Sequence, residues 1–385
     1  MAKILKLNAI SPLADGFFKG YEYSDNVSAP DGIMVRSAAM ADYAVQDNLL
    51  AVARAGAGTN NIPVAEYAKK GVVVFNTPGA NANAVKELVI CELFLGGRKI
   101  TEAIDWVSTL KGEGENVSKL VEKGKSKFVG CEITGKTLGV IGFGAIGILV
   151  ANAAAALGMK VVGVDPFLSA QNAVLLPTGV KLVSERDEVY KEADFVTVHV
   201  PLTPDTRGMF NADTFAKMKD GAVLINNSRG ELVDTDAVIA ALESGKLGRY
   251  ITDFPDDKII GVKNAICVPH LGASTPEAED NCAVMAAQQL TDYIENGNIK
   301  NSVNYPAVIM PRSGAARLCV HHKNIKEILS KILAVVAAQG LNVENMQDAS
   351  KGEYAYLVCD LSGAPSKDSL AKISKTDGVI RVRCI

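Results

Sequence analysis

The stretch Leu138-Gly139-Val140-Ile141-Gly142-Phe143-Gly144-Ala145-Ile146-Gly147 constrains this chain most, because few folds place three glycines at that spacing between a strand and a helix. An apolar strand precedes Gly142, and an alanine-rich segment, 148–157, follows Gly147. Gly142 permits a sharp exit from the strand. Gly144 lets the backbone approach a pyrophosphate, and Gly147 lets the helix lie close on the strand. The free N–H groups at the helix start, around Ala145 and Ile146, would face the phosphates together with the positive end of the helix dipole. A second apolar run, Val161-Val162-Gly163-Val164, ends in Asp165, 18 residues after Gly147 (165 − 147). An acid there meets ribose hydroxyls and repels a 2′-phosphate, so NAD is expected over NADP. A purely structural glycine turn is the competing reading; the strand, the helix and the spaced acid together favour the cofactor site.

A chain of 385 residues accommodates two or three domains. Its 48% hydrophobic and 22% charged content suits folded domains with full cores. With a net charge of −3 there is no basic field to recruit nucleic acid or an acidic membrane, and neither partner is expected. The seven cysteines include no CxxC, the usage of a reducing compartment rather than of a disulfide framework, and no metal site is expected. Met1-Ala2-Lys3-Ile4-Leu5 runs directly into a strand without a signal-peptide pattern, and no apolar run is long enough to span a bilayer, so a cytoplasmic location is expected.

Residues 1–98 alternate apolar strands (4–9, 33–35, 50–53, 72–75) with helical segments, the grammar of a parallel sheet. Ligands of such sheets sit beyond the carboxyl ends of the strands. Those ends carry Arg36-Ser37, Arg54-Ala55-Gly56-Ala57-Gly58 and Asn76-Thr77-Pro78-Gly79. Two neighbouring arginines suit a carboxylate or phosphate, which a guanidinium grips with two parallel hydrogen bonds; either could instead be a surface ion-pair residue. Residues 85–110 read as a helix interrupted at Gly96-Gly97, a hinge or a close packing point, and 111–127 as a connector. Past Asp165, strands end at His199-Val200-Pro201, Asn227-Ser228-Arg229-Gly230, Asp253 and Pro269-His270-Leu271-Gly272. One crevice lined by Gly142, Asp165, His199, Arg229, Asp253 and His270 follows from parallel-strand geometry. Asp234 reads as the N-cap of a helix over 237–242. Thr275-Pro276-Glu277 opens another helix that ends near Gly297, followed by a linker at 301–306. From about 311 the pattern is strand, helix, strand, strand, helix, strand, a ferredoxin-like unit that reads as a regulatory or dimerising appendage.

Hydride transfer between a nicotinamide and a 2-keto acid requires a cation for the substrate carboxylate and carbonyl, and a group that gives or takes the hydroxyl proton. Arg229 can be the cation. His270 is the natural acid–base group, since the ordinary pKa of histidine lies nearest neutrality. His199 reads as a packing or cofactor-neighbour residue, and His321 and His322 lie outside the crevice.

Gly142–Gly147 with Asp165, Asn227-Ser228-Arg229-Gly230-Glu231-Leu232-Val233-Asp234, and Pro269-His270-Leu271-Gly272-Ala273-Ser274-Thr275 resemble the D-isomer-specific 2-hydroxyacid dehydrogenases. Val35-Arg36-Ser37, Arg54 to Asn61 and Asn76 to Asn81 resemble the family's substrate-side loops, and the tail from 311 resembles a small ACT regulatory domain. The fold this implies is α/β: two Rossmann-like parallel-sheet domains (a flavodoxin-like substrate domain and an NAD-binding domain) plus a small C-terminal ferredoxin-like βαββαβ domain. The implied boundaries are 1–98 for the substrate domain, with 285–310 returning to it, 99–284 for the cofactor domain and 311–385 for the tail. The resemblance also implies NAD-dependent oxidation of a small phosphorylated 2-hydroxy acid by a homodimer or homotetramer. Cofactor contacts are expected from Gly142, Gly144, Ala145, Ile146, Gly147, Asp165, His199, Val200, Pro201, Asn227, Ser228, Arg229, Asp253, His270 and Gly272. Substrate contacts are expected from Arg36, Ser37, Arg54, Gly56, Ala57, Gly58, Arg229 and His270. Two departures stand out. The family has a glutamate after the strand carrying Asp253 that supports the histidine, whereas Asp253-Phe254-Pro255-Asp256-Asp257-Lys258 has none, which leaves Asp257 as the stand-in. ACT-type domains usually carry a glycine at the turn into the first helix, where this chain has Glu327; His322, Asn324 and Asn342 match a serine-contacting pattern, so serine is a candidate effector.

Overall fold

The computed structural model describes residues 1–385, which divide into two compact units: Met1–Asn81 with Pro276–Ile385, and Ala82–Thr275. These divisions differ from the expected boundaries at 98 and 284. The helix Ala82–Gly97 buries Val85, Val89 and Leu93 in the core of the second unit, with Val140, Phe195 and Ile251. The whole helix Pro276–Asn296 belongs to the first unit, where Cys282, Ala283, Ala286, Leu290 and Tyr293 pack on the first sheet.

The first unit begins with strands β1 (Lys3–Lys6), β2 (Glu22–Ser24), β3 (Gly32–Val35), β4 (Ala51–Arg54) and β5 (Val73–Phe75). Their order is β2-β1-β3-β4-β5, parallel throughout, as in flavodoxin-like sheets. Strand β2 was not expected from the sequence: its pattern is half-exposed, and it pairs along one edge only. The expected linker at 301–306 is tied to the other edge. Asn304 accepts from Val74 N at 3.0 Å and donates to Val72 O at 2.9 Å, standing in for a further strand.

The second unit contains β6 (Thr137–Ile141), β7 (Lys160–Val164), β8 (Lys181–Leu182), β9 (Phe195–Val198), β10 (Ala222–Asn226), β11 (Leu247–Thr252) and β12 (Ala265–Cys267). The order β12-β11-β10-β9-β6-β7-β8 is parallel throughout and reverses between β6 and β9. That reversal leaves a crevice at the carboxyl ends, where such folds bind ligands. The segment expected as one interrupted helix is two, Ala82–Gly97 and Ile100–Ser108. Gly96 and Gly97 are packing points: a Cβ on Gly96 would lie 2.8 Å from Val223, and one on Gly97 3.1 Å from Cys131 O. The expected connector contains a further helix, Val117–Gly124.

The C-terminal strands β13 (Ala316–Lys323), β14 (Val343–Lys351), β15 (Tyr354–Leu361) and β16 (Val379–Cys384) form an antiparallel sheet in the order β14-β15-β13-β16. Helices Ile328–Ala338 and Lys367–Ser374 cover one face, giving the expected βαββαβ arrangement. The other face is no loose appendage. Cys319, Tyr356 and Val358 share a core with Phe75, Leu290, Tyr293 and Tyr305. Arg383, Arg317 and Tyr356 donate to Tyr293 O (2.7 Å), Asn296 O (2.8 Å) and Gly297 O (2.7 Å), satisfying carbonyls at and just past the end of the helix Pro276–Asn296.

Candidate functional site

In the second unit, the turn after β6 has the expected shape. Gly142 has φ +96°, and a Cβ there would lie 2.6 Å from His199 O. A Cβ on Gly147 would lie 2.0 Å from Gly142 O, so the helix can lie against the turn only with glycine at that place. Nothing lies within 4 Å of a Cβ on Gly144, which leaves the approach to the helix open. That helix, Ala145–Ala156, has no side-chain cap, and its first N–H groups are free for an anion. Asp165 ends the second strand as expected. Its carboxylate accepts from Phe143 N and Phe167 N, both at 2.8 Å, which fixes its position at the crevice edge.

Across the reversal, His199 meets Thr197 Oγ1 through Nε2 at 3.0 Å, while its Nδ1 has no partner. Burial pushes its pKa down to about 4, so it is neutral near pH 7. The loop after β10 is laced by its own polar side chains. Ser228 Oγ donates to Val198 O at 2.7 Å, Asn226 Nδ2 to Arg229 O at 2.9 Å, and Arg229 NH1 to Ser228 O at 2.6 Å. At the end of β11, Asp253 is buried; its Oδ2 accepts from Gly272 N at 3.2 Å and its Oδ1 has no partner. Burial raises the pKa of its carboxyl; the Gly272 amide, His270 and Arg229 pull the other way. His270 is tied to the same residue, donating its backbone N–H to Asp253 O at 2.9 Å. The rings of His270 and Phe254 are 4.5 Å apart, and the Arg229 guanidinium stands 5.6 Å from the centre of that same Phe254 ring.

Asp257 does not reach His270, and the expectation that it supports the imidazole is corrected. It is exposed and makes no side-chain hydrogen bond. The neighbouring Asp256 takes up the turn instead, accepting from Thr235 Oγ1 at 2.6 Å and from Lys258 N and Ile259 N. The side chain against the His270 ring is Phe254. Asp257→Asn is accordingly expected to leave kcat within about twofold and the pH–rate profile unmoved, since surface changes away from partners have small effects. A displaced acid limb would restore Asp257 to the mechanism.

In the first unit, Arg36 and Arg54 stand at the ends of the adjacent strands β3 and β4. Arg54 Nε donates to Arg36 O at 3.1 Å, and Asn8 Oδ1 accepts from Arg36 N at 2.9 Å. Asn8 Nδ2 also meets Ser37 Oγ at 3.1 Å. The glycine-rich loop is joined to its neighbours through Gly56 O, which accepts from Thr77 N at 3.1 Å, and Ala57 O, which accepts from Asn76 Nδ2 at 2.6 Å. Arg36 already pairs with Glu279, and Ser11 donates to Asp280, both acids lying in the first turns of the helix Pro276–Asn296.

A model of the D-isomer specific 2-hydroxyacid dehydrogenase NAD binding domain matches residues 97–272. A D-3-phosphoglycerate dehydrogenase of Haemophilus influenzae is 33% identical over 353 residues, 88% of this chain and 81% of that protein. The chain belongs to the D-isomer specific 2-hydroxyacid dehydrogenase family. A Synechocystis D-3-phosphoglycerate dehydrogenase is 37% identical over 296 residues, 74% of this chain, and the chain spans about half (51%) of its length. A putative D-3-phosphoglycerate dehydrogenase of Schizosaccharomyces pombe is 35% identical over 343 residues, 82% of this chain and 69% of that one. Among solved structures, NAD⁺-bound 3-phosphoglycerate dehydrogenase of Entamoeba histolytica superposes with a TM-score of 0.59 at 26% identity, covering 79% of this chain and 98% of that one. The protein is thus an NAD-dependent dehydrogenase of this family, and its second unit contains the NAD-binding domain.

The residues present in this dehydrogenase fit that cofactor. Gly144 leaves room for a pyrophosphate, the helix start offers free N–H groups, and Asp253 Oδ1 is an orphaned buried acceptor suited to a carboxamide N–H. Two residues of the site escaped the sequence reading. Phe254 is one. The other is Glu92, an acid within the apolar run Leu88-Val89-Ile90-Cys91-Glu92-Leu93-Phe94-Leu95 and 1% exposed. Its signal was that isolated carboxylate, three residues past Val89 on the packed face. Asn227 Nδ2 donates to Glu92 Oε2 at 2.6 Å, which ties the arginine loop to the helix Ala82–Gly97. Burial pushes the pKa of Glu92 up to about 8; the Asn227 hydrogen bond opposes this and the Asp253 charge adds to it. Unfolded, such a carboxyl titrates near 4.3. Between those values the folded protein holds a proton that the unfolded chain has lost, so this group's contribution to stability is full at low pH, falls as pH rises through the window, and levels off above about 8. Glu92→Gln is expected to flatten that fall. The variant should then be more stable than wild type above pH 8 by a few kcal/mol, because each pH unit between the two values is worth about 1.4 kcal/mol. Thermal midpoints from pH 5 to 9 check it; parallel curves for the two proteins would contradict it.

Proposed function

We propose that this dehydrogenase oxidises 3-phosphoglycerate to 3-phosphohydroxypyruvate with NAD, the entry step of serine biosynthesis. The observation that carries the reaction is the placement of Arg229 and His270 on one aromatic ring beside Asp253. The phosphorylated substrate rests on the curated relatives and on the paired strand-end arginines. In this reading Gly142, Gly144, Ala145, Ile146 and Gly147 receive the pyrophosphate, Asp165 the ribose, and Asp253 the carboxamide. His199, Val200, Pro201, Asn227, Ser228 and Gly272 line the same crevice. The bound cofactor supplies a hydride acceptor. His270 takes the proton of the substrate hydroxyl, and Arg229 binds the carboxylate and the oxygen that becomes a carbonyl. Arg36, Ser37, Arg54 and the loop Gly56-Ala57-Gly58 bind the substrate's anionic groups.

The Arg36–Glu279 pair favours a second reading, a singly charged 2-hydroxy acid, because a carboxylate already neutralises one of the two arginines. A substrate panel with NAD and NADP in parallel tests both. NADH formation with 3-phosphoglycerate at higher kcat/KM than with lactate, glycerate or glyoxylate-type substrates supports the first. The reverse order supports the second, and failure of all of them removes the reaction. Serine is proposed as a ligand of the C-terminal domain, through Asn324 and Asn342. His322 is buried there, with Nδ1 on Lys323 O and Nε2 on Asp348, both at 2.9 Å. Glu327 adopts φ +63°, the backbone expected of the glycine it replaces. Serine titrated into the assay decides this role. A homodimer or homotetramer is also proposed, paired through the second unit, where Ile104 (60% exposed) and Val107 (49%) stand on a helix with no buried residue. A cytoplasmic location is proposed on the seven free cysteines. No helix is long and apolar enough to cross a membrane.

A further inference from the structure

We propose that Phe254 is a positioning residue, its ring serving as a shared platform that sets the spacing between the Arg229 guanidinium and the His270 imidazole. The inference rests on Arg229 and His270 being the acting pair. Both are exposed, and neither side chain is held by a carboxylate. The one hydrogen bond of the Arg229 guanidinium goes to its own loop, at Ser228 O, and the His270 ring makes none. A long cationic side chain anchored only to its own backbone would sample many rotamers. What both side chains share is Phe254, with the imidazole 4.5 Å from its ring centre, tilted by 47°, and the guanidinium carbon 5.6 Å from it. Those distances lie within the range where an aromatic face attracts a cation or packs against a second ring.

The platform itself is fixed. Phe254 N donates to Thr252 Oγ1 at 3.0 Å, and Thr252 Oγ1 donates to Asn226 O at 2.9 Å. The chain carrying the ring is thereby bound to β10, the strand that leads to Arg229. The Phe254 backbone also lies under the arginine loop, since a Cβ on Gly230 would stand 3.3 Å from Phe254 O. When the imidazole takes the hydroxyl proton it becomes a cation beside the negative face of the same ring. The ring therefore orients the imidazole without adding a charge to the pocket.

The test is a series at residue 254 assayed with NAD and the preferred substrate of the panel, with NADH binding measured separately by fluorescence. Phe254→Leu is expected to lower kcat about tenfold, equivalent to about 1.4 kcal/mol, with NADH affinity unchanged. Phe254→Tyr, which keeps the ring face, is expected to stay within about twofold. Should the leucine variant fail to fold, Phe254→Met takes its place, with similar bulk and no ring. A leucine or methionine variant with wild-type kcat overturns the proposal, as does a tyrosine variant as impaired as leucine. A wild-type protein that binds NADH but turns over no hydroxy acid sinks the reaction itself and is distinguishable from either result.

Discussion

His270→Ala is expected to lower kcat by roughly 10²- to 10⁴-fold while leaving NADH bound with near wild-type affinity. The size follows from what is removed. Oxidation of a secondary alcohol leaves a proton that must go somewhere as the hydride departs, and in the proposed reaction the His270 ring receives it. The separation of binding from turnover follows from where the cofactor groups lie. The glycine turn, the helix start at Ala145, Asp165 and Asp253 are intact without an imidazole at 270. The contact most exposed to the change is the His270 N–H to Asp253 O bond, and alanine keeps it because it is a backbone bond. Stopped-flow kinetics and a fluorescence titration measure the two halves. If turnover and NADH affinity fall together, the imidazole is a cofactor ligand rather than the proton carrier.

The second large effect concerns stability. Arg317 and Asp360 are both fully buried and joined by two bonds, Nε to Oδ1 at 2.6 Å and NH2 to Oδ2 at 2.9 Å. Ser313 gives Asp360 two more donors, and Arg317 spends a third N–H on Asn296 O. Asp360→Ala strands a guanidinium in the interior and is expected to cost about 3–5 kcal/mol. Replacing both partners with apolar residues, Arg317→Met with Asp360→Leu, should cost much less than Asp360→Ala alone, because no unpaired charge remains. Denaturant unfolding of the single and double variants checks the order. A single variant that loses under about 1 kcal/mol would mean that water reaches the site.

How much of this could be read in the sequence follows the range of the interactions involved. The glycine turn, Asp165 and the capping Asp234 are local patterns, decided within a few residues, and each stands where the residue spacing put it. The parallel sheets follow from alternating elements, and strand ends then put Arg36 and Arg54 at the carboxyl edge of the first sheet, and Arg229 and Asp253 at that of the second. What could not be read is what one strand end finds opposite it. Asp257 is the stand-in that the resemblance offers for the family's glutamate, but the turn is satisfied by Asp256, and an aromatic ring occupies the place beside His270. Glu92 lies 135 residues from Asn227, and only the packed helix brings them together. The C-terminal unit was legible as a pattern of strands and helices, whereas its attachment was not, because that depends on which face of the sheet finds an apolar partner.

The attachment bears on how the protein can be dissected. The helix Pro276–Asn296, 21 residues and so about 30 Å long, has Glu279 and Asp280 reaching the Arg36 and Ser11 loops at its beginning. Just past its far end, Tyr356 caps the Gly297 carbonyl, while Tyr293 and Tyr305 lie against the sheet. A chain cut at residue 310 would bare Tyr293 and Tyr305 and take away the donors of the Asn296 and Gly297 carbonyls. Such a fragment is an unfinished molecule rather than a minimal enzyme, and any trimmed version for crystallisation or screening has to keep the tail.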